Sequence, residues 1–506
     1  MIVEDQSAVI DWLARPATHG GAGVERIDTH CAVVFLAGDR AYKLKRAVRF
    51  PFLDYGTLEA RHTVCAAEVR LNRRTAPALY RGTVAITAEA NGSFAFDGSG
   101  TPVDWLVAMN RFDQAMLFDR MAACGALRDP VMRDLADAIA AFHDIAEARP
   151  DHGGRAGLAM VIDGNMATLR GEARAPFDDT RRDRIEQGWR SALERHGETL
   201  EARREAGRVR WCHGDLHLRN ICLIDGKPTL FDGIEFSEPL ACIDVLYDLA
   251  FLLMDLRHRE LNRFASLVLN RYLSRTQDVD GLALLPLFQS LRAGVRAMVG
   301  AIEGSDDEAR AYLSQAESYL EPPPPVLVAV GGLSGTGKST LAATLAPEIG
   351  AAPGALVLRS DVIRKRLLGA EPEQRLGSEA YGAAVNRRVY ETLHALARRA
   401  LGAGHAVILD AVFAQPEERA AVADIARATH VPFRGLWLDA APEVLRARLE
   451  ARRDDASDAT AAVLERQLGY PIGDLDWHRL DTTGMSQEIS ARAAQALRED
   501  CALETS

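Results

Sequence analysis

Cysteine is scarce and scattered in this sequence. The seven residues, Cys31, Cys65, Cys124, Cys212, Cys222, Cys242 and Cys501, are odd in number and irregular in spacing. That argues against a secreted disulfide framework. No C-x-x-C pair occurs, so the sequence neighbours Cys212, His213, His217 and Cys222 are a weak zinc candidate. A long hydrophobic run is missing as well. The most apolar stretch, 245–256, contains Asp248 and Asp255 and is too short and too charged to cross a bilayer. The start, Met1-Ile2-Val3-Glu4-Asp5, is acidic and has no basic region ahead of an apolar one, so no signal peptide is expected. A surplus of positive charge is also lacking. The net charge of −11 gives no bulk reason for tight nucleic-acid binding. No internal repeat is visible. The expected setting is the reducing cytoplasm, with no membrane partner.

What is present is an ordinary soluble composition, 48% hydrophobic and 26% charged. At 506 residues the chain exceeds one ordinary core, so two or three domains are expected. The clearest punctuation is Glu321-Pro322-Pro323-Pro324-Pro325. Consecutive prolines cannot continue a helix and favour an extended form. The reading is a domain over 1–320, a rigid linker over 321–325 and a second domain over 326–506.

Downstream of the prolines, strands and helices alternate. Strands are expected over 326–332, 355–361, 405–413, 433–439 and 477–483. Helices are expected over 339–349, from 362, over 380–402, from Pro416, over 442–453 and over 486–499. Such alternation implies a parallel sheet covered on both faces. Upstream, strands fill 24–49, with a turn at Gly38-Asp39, and recur over 81–97 and 103–112. A helix covers about 57–74. After residue 130 the chain is mostly helical, apart from a hairpin over 220–232 turning at Asp225-Gly226. A strand-rich part followed by a helix-rich part implies two lobes.

The downstream motif is Gly332-Leu333-Ser334-Gly335-Thr336-Gly337-Lys338-Ser339, which fits G-x-x-x-x-G-K-[ST]. Glycines let backbone N–H groups turn inward on a phosphate, and the following helix adds its positive end. In this reading Gly332, Ser334, Gly335, Thr336, Gly337 and Thr340 build the ATP cradle. Lys338 reaches the β- and γ-phosphates, and Ser339 ligates Mg2+. Asp410 ends an apolar strand where a second Mg2+ ligand belongs. Asp361 closes the second strand and is the candidate base for an acceptor hydroxyl, with Arg364 one helical turn on to hold a phosphate or pair with a carboxylate. Arg446, Arg448, Arg452 and Arg453 precede the polar run 454–460 and read as a lid; Arg452 is the candidate catalytic arginine.

Upstream, His213-Gly214-Asp215-Leu216-His217-Leu218-Arg219-Asn220 places a carboxylate and an amide on one short loop. Asp215 is the candidate base and Asn220 a candidate Mg2+ ligand, with Asp232 the second ligand after the hairpin. Lys43 is the candidate contact to the α- and β-phosphates, Lys45 its competitor on the same face, and Glu68 the ion-pair partner. The stretch 105–110 is the candidate hinge near the adenine. Glu235 is a candidate further metal or substrate contact.

The segment 25–300 resembles aminoglycoside phosphotransferases and choline kinases, whose hallmark H-G-D-L-H-x-x-N stands at 213–220. The resemblance implies an α+β bilobal protein-kinase-like fold. Asp244 and Asp248 match the family's D-x-x-x-D-L-A and are expected to cap a helix and brace the catalytic loop. A full G-x-G-x-x-G is absent between the first two strands, where Asp28-Thr29-His30 fills the turn. From 326 the chain resembles gluconate-kinase-like, zeta-toxin-like and polynucleotide-kinase-like P-loop kinases, an α/β fold with a parallel sheet. There Asp361-Val362-Ile363-Arg364 matches a D-x-x-R element. The complete order resembles bacterial proteins described as bifunctional aminoglycoside phosphotransferase/ATP-binding proteins. The implied activity is ATP- and Mg2+-dependent phosphoryl transfer at two sites to a hydroxyl of a small molecule or nucleotide-like acceptor, with nucleic acid entering only as a kinase substrate. Two other readings stand beside it: a kinase active only at the P-loop, and a non-catalytic ATP-sensing scaffold.

Overall fold

The computed structural model describes residues 3–50, 53–451, 458 and 460–503. The chain packs as two compact units, Met1–Asp163 with Gly197–Asp255, and Gly164–His196 with Leu256–Ser506.

The first unit carries a six-stranded antiparallel sheet in the order Val24–Asp28, Ala32–Ala37, Arg40–Lys45, Thr101–Asn110, Tyr80–Ala88, Phe94–Phe96. Helix Leu58–Asn72 starts where Thr57 caps it, its side chain accepting from the Ala60 N–H at 3.1 Å. Cys65 and Val69 on that helix pack with Leu36, Ala41 and Val107 of the sheet. This burial fixes Glu68, one residue before Val69, against the strand that carries Lys43. The stretch 105–110, expected as a hinge, lies inside strand Thr101–Asn110 and pairs with both Arg40–Lys45 and Tyr80–Ala88. Its β-branched and aromatic content suits a central strand, and the chain leaves the sheet only at Arg111. Beyond the sheet, helix Asp129–Ile145, the hairpin Ile221–Ile224 with Lys227–Leu230, and the small pair Val209–Trp211 with Cys242–Asp244 surround the 213–220 loop.

The second unit contains a five-stranded parallel sheet in the order Leu356–Arg359, Val407–Asp410, Leu327–Gly332, Phe433–Asp439, His478–Asp481. Its inner strands Val407–Asp410 and Leu327–Gly332 are near-continuous, fully buried apolar runs, as a sheet covered on both faces requires. Val328, Val330, Ile408, Leu436 and Leu438 are buried with Leu341 and Leu345 of helix Lys338–Leu345 and with Ile489 and Ala493 of helix Ser486–Leu503. Helices Asn262–Thr276, Leu285–Ile302 and Asp306–Leu320 belong to this same unit. There the Trp189 indole N–H donates to Ser290 Oγ at 2.8 Å, which in turn donates to the Ala316 carbonyl at 2.7 Å. The proline run therefore lies within the second unit. One segment of the described residues, Asp280–Ile302, is long and apolar enough to cross a membrane, and 72% of its most apolar stretch is buried in the protein.

Two expected elements change, and one appears that was not expected. The helix expected over 339–349 ends at Leu345, where Pro347 sits in a 3-10 turn, Ala346–Glu348. The strand expected over 355–361 stops at Arg359, and Asp361 sits in the first turn of helix Ser360–Leu367. An acidic residue is favourable there because the helix N-terminus carries partial positive charge. Helix Ala461–Leu468 was not anticipated, because it emerges directly from the polar run 454–460.

Candidate active sites

In the first unit, strand Arg40–Lys45 presents Lys43 to two carboxylates. Its Nζ lies 3.0 Å from Glu68 Oε1 and also pairs with Asp232, 189 residues away in sequence. Lys45 pairs with Glu68 too, and its Nζ lies 2.5 Å from Glu235 Oε1. Tyr55 donates its hydroxyl to that same Glu235 oxygen at 3.1 Å. Lys45 is thus tied inward, whereas Lys43 faces the partly open Asp232. Glu235, expected as a further metal or substrate contact, is held here by Lys45 and Tyr55. Burial would lift the Asp232 carboxyl, but Lys43 and Lys45 outweigh it and hold that group below the ordinary carboxylate range. Burial lifts the Glu235 carboxyl despite Lys45.

The 213–220 loop is fixed from behind. Asp248, fully buried at the start of helix Val245–His258, accepts the backbone N–H groups of His213 at 3.1 Å and Gly214 at 2.8 Å. His143 Nε2 lies 3.1 Å from the same carboxylate. Asp244 is held by Arg203 through two bonds of 2.7 and 2.8 Å and accepts the Leu246 N–H at 2.8 Å, capping that helix. Asn220 donates its amide to the Asp215 carbonyl at 2.9 Å and to Asp215 Oδ2 at 2.8 Å. His217 Nε2 stands 3.3 Å from Asp215 Oδ2. The Phe231 N–H donates to the Asn220 carbonyl at 3.0 Å, which brings the residue before Asp232 to the loop. Asp232 itself has φ +62, a sparsely populated region for a residue with a side chain and one that recurs at functional positions. It is pinned by its N–H on the Tyr80 hydroxyl oxygen at 3.1 Å and, through Gly233, by Asn72.

The sequence cluster of Cys212, His213, His217 and Cys222 does not converge. Among the described residues the tight group is His143, Cys212 and Asp248. Burial pushes the Cys212 thiol up, and Asp248 is already occupied by the two loop amides, so this group is a brace for the loop.

In the second unit, a cavity of about 370 Å3 opens over the phosphate loop. Gly332 has φ +136, and a Cβ there would lie 2.5 Å from the Leu438 carbonyl oxygen. Only glycine lets the strand turn into the loop at this point. Gly337, at φ +91, is the N-cap of helix Lys338–Leu345. Lys338 Nζ donates to the Leu333 carbonyl at 2.9 Å, folding back across the loop. Ser339 donates its hydroxyl to Asp410 Oδ2 at 2.6 Å, 71 residues away in sequence. Ser334, Gly335, Gly337, Lys338, Ser339, Thr340, Asp361, Arg364 and Asp410 all line this cavity. Thr336 turns its hydroxyl onto the Leu333 carbonyl at 2.9 Å and stabilises the loop from within.

Arg364 is 94% buried in effect, with 6% exposure, and lies over the Tyr381 ring at 4.5 Å. It donates to the Ala380 carbonyl at 3.0 Å, with Asp361 Oδ1 4.0 Å from its Nε. Two arginines of the expected lid are described. Arg446 is drawn to Glu465 at 2.7 Å, Arg448 to the Thr482 carbonyl at 2.5 Å, and neither lines the cavity. Arg452 and Arg453 lie outside the described residues. The side chains that reach the loop are on helix Ala461–Leu468: Arg466 lines the cavity, and Gln467 Oε1 accepts the Ser334 N–H at 2.8 Å. Tyr381, Asn386, Tyr390 and Glu418 also line it and were missed. No local motif marks them, because they come from helices whose docking is set by distant strands.

Two domain classes are defined by these sites. The profile of the Phosphotransferase enzyme family matches residues 107–285, and that of the AAA domain matches residues 327–470. The fold is a phosphotransferase-type kinase fold followed by a P-loop domain with a parallel sheet, and two kinase-type domains point to phosphotransferase activity. The chain belongs to the family of uncharacterized protein Rv2004c of Mycobacterium tuberculosis, to which it is 32% identical over 484 residues, covering 92% of this chain and 94% of that protein. The same figures hold for uncharacterized protein Mb2027c of Mycobacterium bovis, 32% over 484 residues and 92% and 94% coverage. Among solved structures, a choline/ethanolamine kinase family protein from Mesorhizobium loti is 17% identical, covering 62% of this chain and 92% of its own, with a TM-score of 0.39. A gluconokinase from Sinorhizobium meliloti is 20% identical, covering 36% and 98%, with a TM-score of 0.26. The Mycobacterium tuberculosis APS kinase in complex with AMPPNP and APS is 23% identical, covering 35% and 99%, with a TM-score of 0.26.

Proposed function

We propose that the protein is a cytoplasmic ATP-dependent kinase with two phosphoryl-transfer sites, each passing the γ-phosphoryl group to an alcohol of a small-molecule or nucleotide-like acceptor. One observation carries the reading. Each half gathers a lysine, hard oxygen donors and a separate carboxylate from distant stretches of chain, around Lys43 and Asp232 in one and around Lys338, Ser339 and Asp410 in the other. A scaffold that merely senses ATP needs no carboxylate to take a hydroxyl proton. The same donors fit Mg2+: the Asn220 amide nitrogen is spent on Asp215, leaving its side-chain oxygen as a donor, Asp232 adds a carboxylate, and Ser339 with Asp410 offers two more oxygens. When bound, Mg2+ would offset charge on the transferring phosphoryl oxygens.

In the first site Asp215 takes the proton of the acceptor hydroxyl as that oxygen bonds to the γ-phosphorus and ADP leaves. Asn220 holds Asp215 in place, and Lys43, itself fixed by Glu68, binds the α- and β-phosphates. In the second site the loop N–H groups and Lys338 cradle the phosphates, Asp361 takes the hydroxyl proton, and Arg364 lines the acceptor side.

The test is ATP turnover by the wild type, Asp215→Ala, Asp232→Ala and Lys338→Ala over a panel of hydroxyl compounds. Removal of a positioned base is expected to slow its own site by about 10²–10⁴-fold. Turnover lost only in Lys338→Ala would leave the first site without a catalytic role, and unchanged turnover in all three variants would end the kinase reading.

A further inference from the structure

The P-loop sheet ends on strand Leu356–Arg359, which delivers Ser360 and Asp361 into the cavity. An edge strand presents unpaired backbone N–H and C=O groups. Here they are answered from upstream of the proline run. Asn270, in helix Asn262–Thr276, accepts the Val357 N–H on its Oδ1 at 2.7 Å and donates its Nδ2 to the Ala355 carbonyl at 3.2 Å. A side-chain amide carries one acceptor and one donor side by side, so it pairs with a strand edge as a neighbouring peptide would. The contact is reinforced from the acceptor helix Ser360–Leu367. Arg366 on that helix donates to the Ser274 and Arg275 carbonyls at 3.0 and 3.2 Å, the open end of helix Asn262–Thr276. Arg271 pairs with Glu373 at 2.9 Å on the segment that follows.

We infer that Asn270 is a positioning residue of the P-loop site. It fixes the strand that runs directly into helix Ser360–Leu367, which carries Asp361 and Arg364, so the acceptor half of that site is completed by a helix encoded before the linker. The nucleotide half stands on the central strand Leu327–Gly332, two strands in from the edge that Asn270 holds. This rests on the P-loop cavity being a kinase site.

The experiment uses the full chain carrying Asp215→Ala, so that only P-loop transfer is read. Labelled phosphate is followed from ATP into a bacterial metabolite extract, with and without Asn270→Leu. Expected are a rise of about tenfold or more in the half-saturating amount of extract and a similar acceleration of amide hydrogen exchange over 356–367. The affinity for Mg2+–AMPPNP and exchange over 327–345 should stay unchanged. Asn270→Asp keeps the acceptor for Val357 and loses the donor to Ala355, so it should fall between the two; it also serves if the leucine variant does not fold. Unchanged exchange over 356–367 with unchanged extract saturation overturns the inference. So does a loss of AMPPNP affinity with faster exchange over 327–345, since Asn270 would then support the fold in general. Transfer that persists in Lys338→Ala would instead overturn the kinase reading of the cavity, and the exchange comparison would still decide whether Asn270 holds the strand.

Discussion

Lys43 and Lys45 share one carboxylate, Glu68, yet their surroundings assign them different work. The Lys45 side chain is 3% exposed and lies between Glu68 and Glu235, which are 0% and 6% exposed. Lys43 is 13% exposed, and its second partner, Asp232, is 38% exposed. Removing one member of a buried ion pair leaves an uncompensated charge, at a cost of about 3–5 kcal/mol, whereas partly solvated groups lose far less. Lys45→Met should therefore lower the urea midpoint of the first unit by much more than Lys43→Met. Lys43→Met should instead abolish transfer at the Asp215 site. The opposite ranking, with stability lost in Lys43→Met and transfer lost in Lys45→Met, would exchange the two roles. In the sequence both lysines fall on one strand face, and Lys43 is favoured only by its place after the Gly38-Asp39 turn; what separates their roles depends on Glu235 and Asp232, about 190 residues away.

At the level of elements, the sheet of the second unit has a pH-sensitive tie at the end away from the phosphate loop. His405, just before strand Val407–Asp410, is 1% exposed, and its Nε2–H donates to the Gly354 carbonyl at 3.0 Å. Burial pushes its imidazole down to about 4. In the unfolded chain the ring takes a proton near pH 6.5, while in the folded chain it stays neutral to about pH 4. Its contribution is thus complete above about 6.5 and is lost as pH falls toward 4, amounting to about 2 kcal/mol at pH 5. His405→Gln keeps a donor for Gly354 without a titrating ring. Urea unfolding at pH 7.5 and pH 5 should show a drop in the wild type larger by about that 2 kcal/mol than in the variant. Equal drops would mean that the ring protonates without penalty. Elements of this sheet were legible where a local signal was strong: the apolar run into the glycine loop, and Pro416 opening helix Pro416–Thr429. Legibility failed where one element follows another without a break. Asp361 reads as a strand end because Arg359 and Ser360 give no turn signal, and helix Ala461–Leu468, which brings Arg466 and Gln467 to the loop, is hidden behind a polar run.

For the whole molecule, the proline run is a conspicuous boundary in sequence, but packing groups Leu256–His258 and the helices after it with the P-loop sheet. Asn270 on the strand edge and Arg366 on the end of helix Asn262–Thr276 are the close contacts that do this. Asp280 adds a two-bond pair with Arg399 at 2.9 and 2.6 Å. That last pair is exposed and worth little, since surface ion pairs contribute about 0–1 kcal/mol. The two Asn270 bonds matter more, at about 1 kcal/mol each net of water. A fragment 326–506 would lose all of these and present the edge strand Leu356–Arg359 to solvent, whereas the full chain keeps them, together with the segment Gly164–His196 that packs in the same unit. With about 2 kcal/mol at stake and roughly 2–4 °C per kcal/mol for a unit of this size, the P-loop sheet should melt about 4–8 °C higher in the full chain than in 326–506. Light scattering should also find 326–506 associating at concentrations where the full chain does not, because an open strand edge pairs with its own kind. Equal melting and equal association would show that the sheet edge needs no helix from before the prolines, and the fused order of the chain would then lack this structural reason.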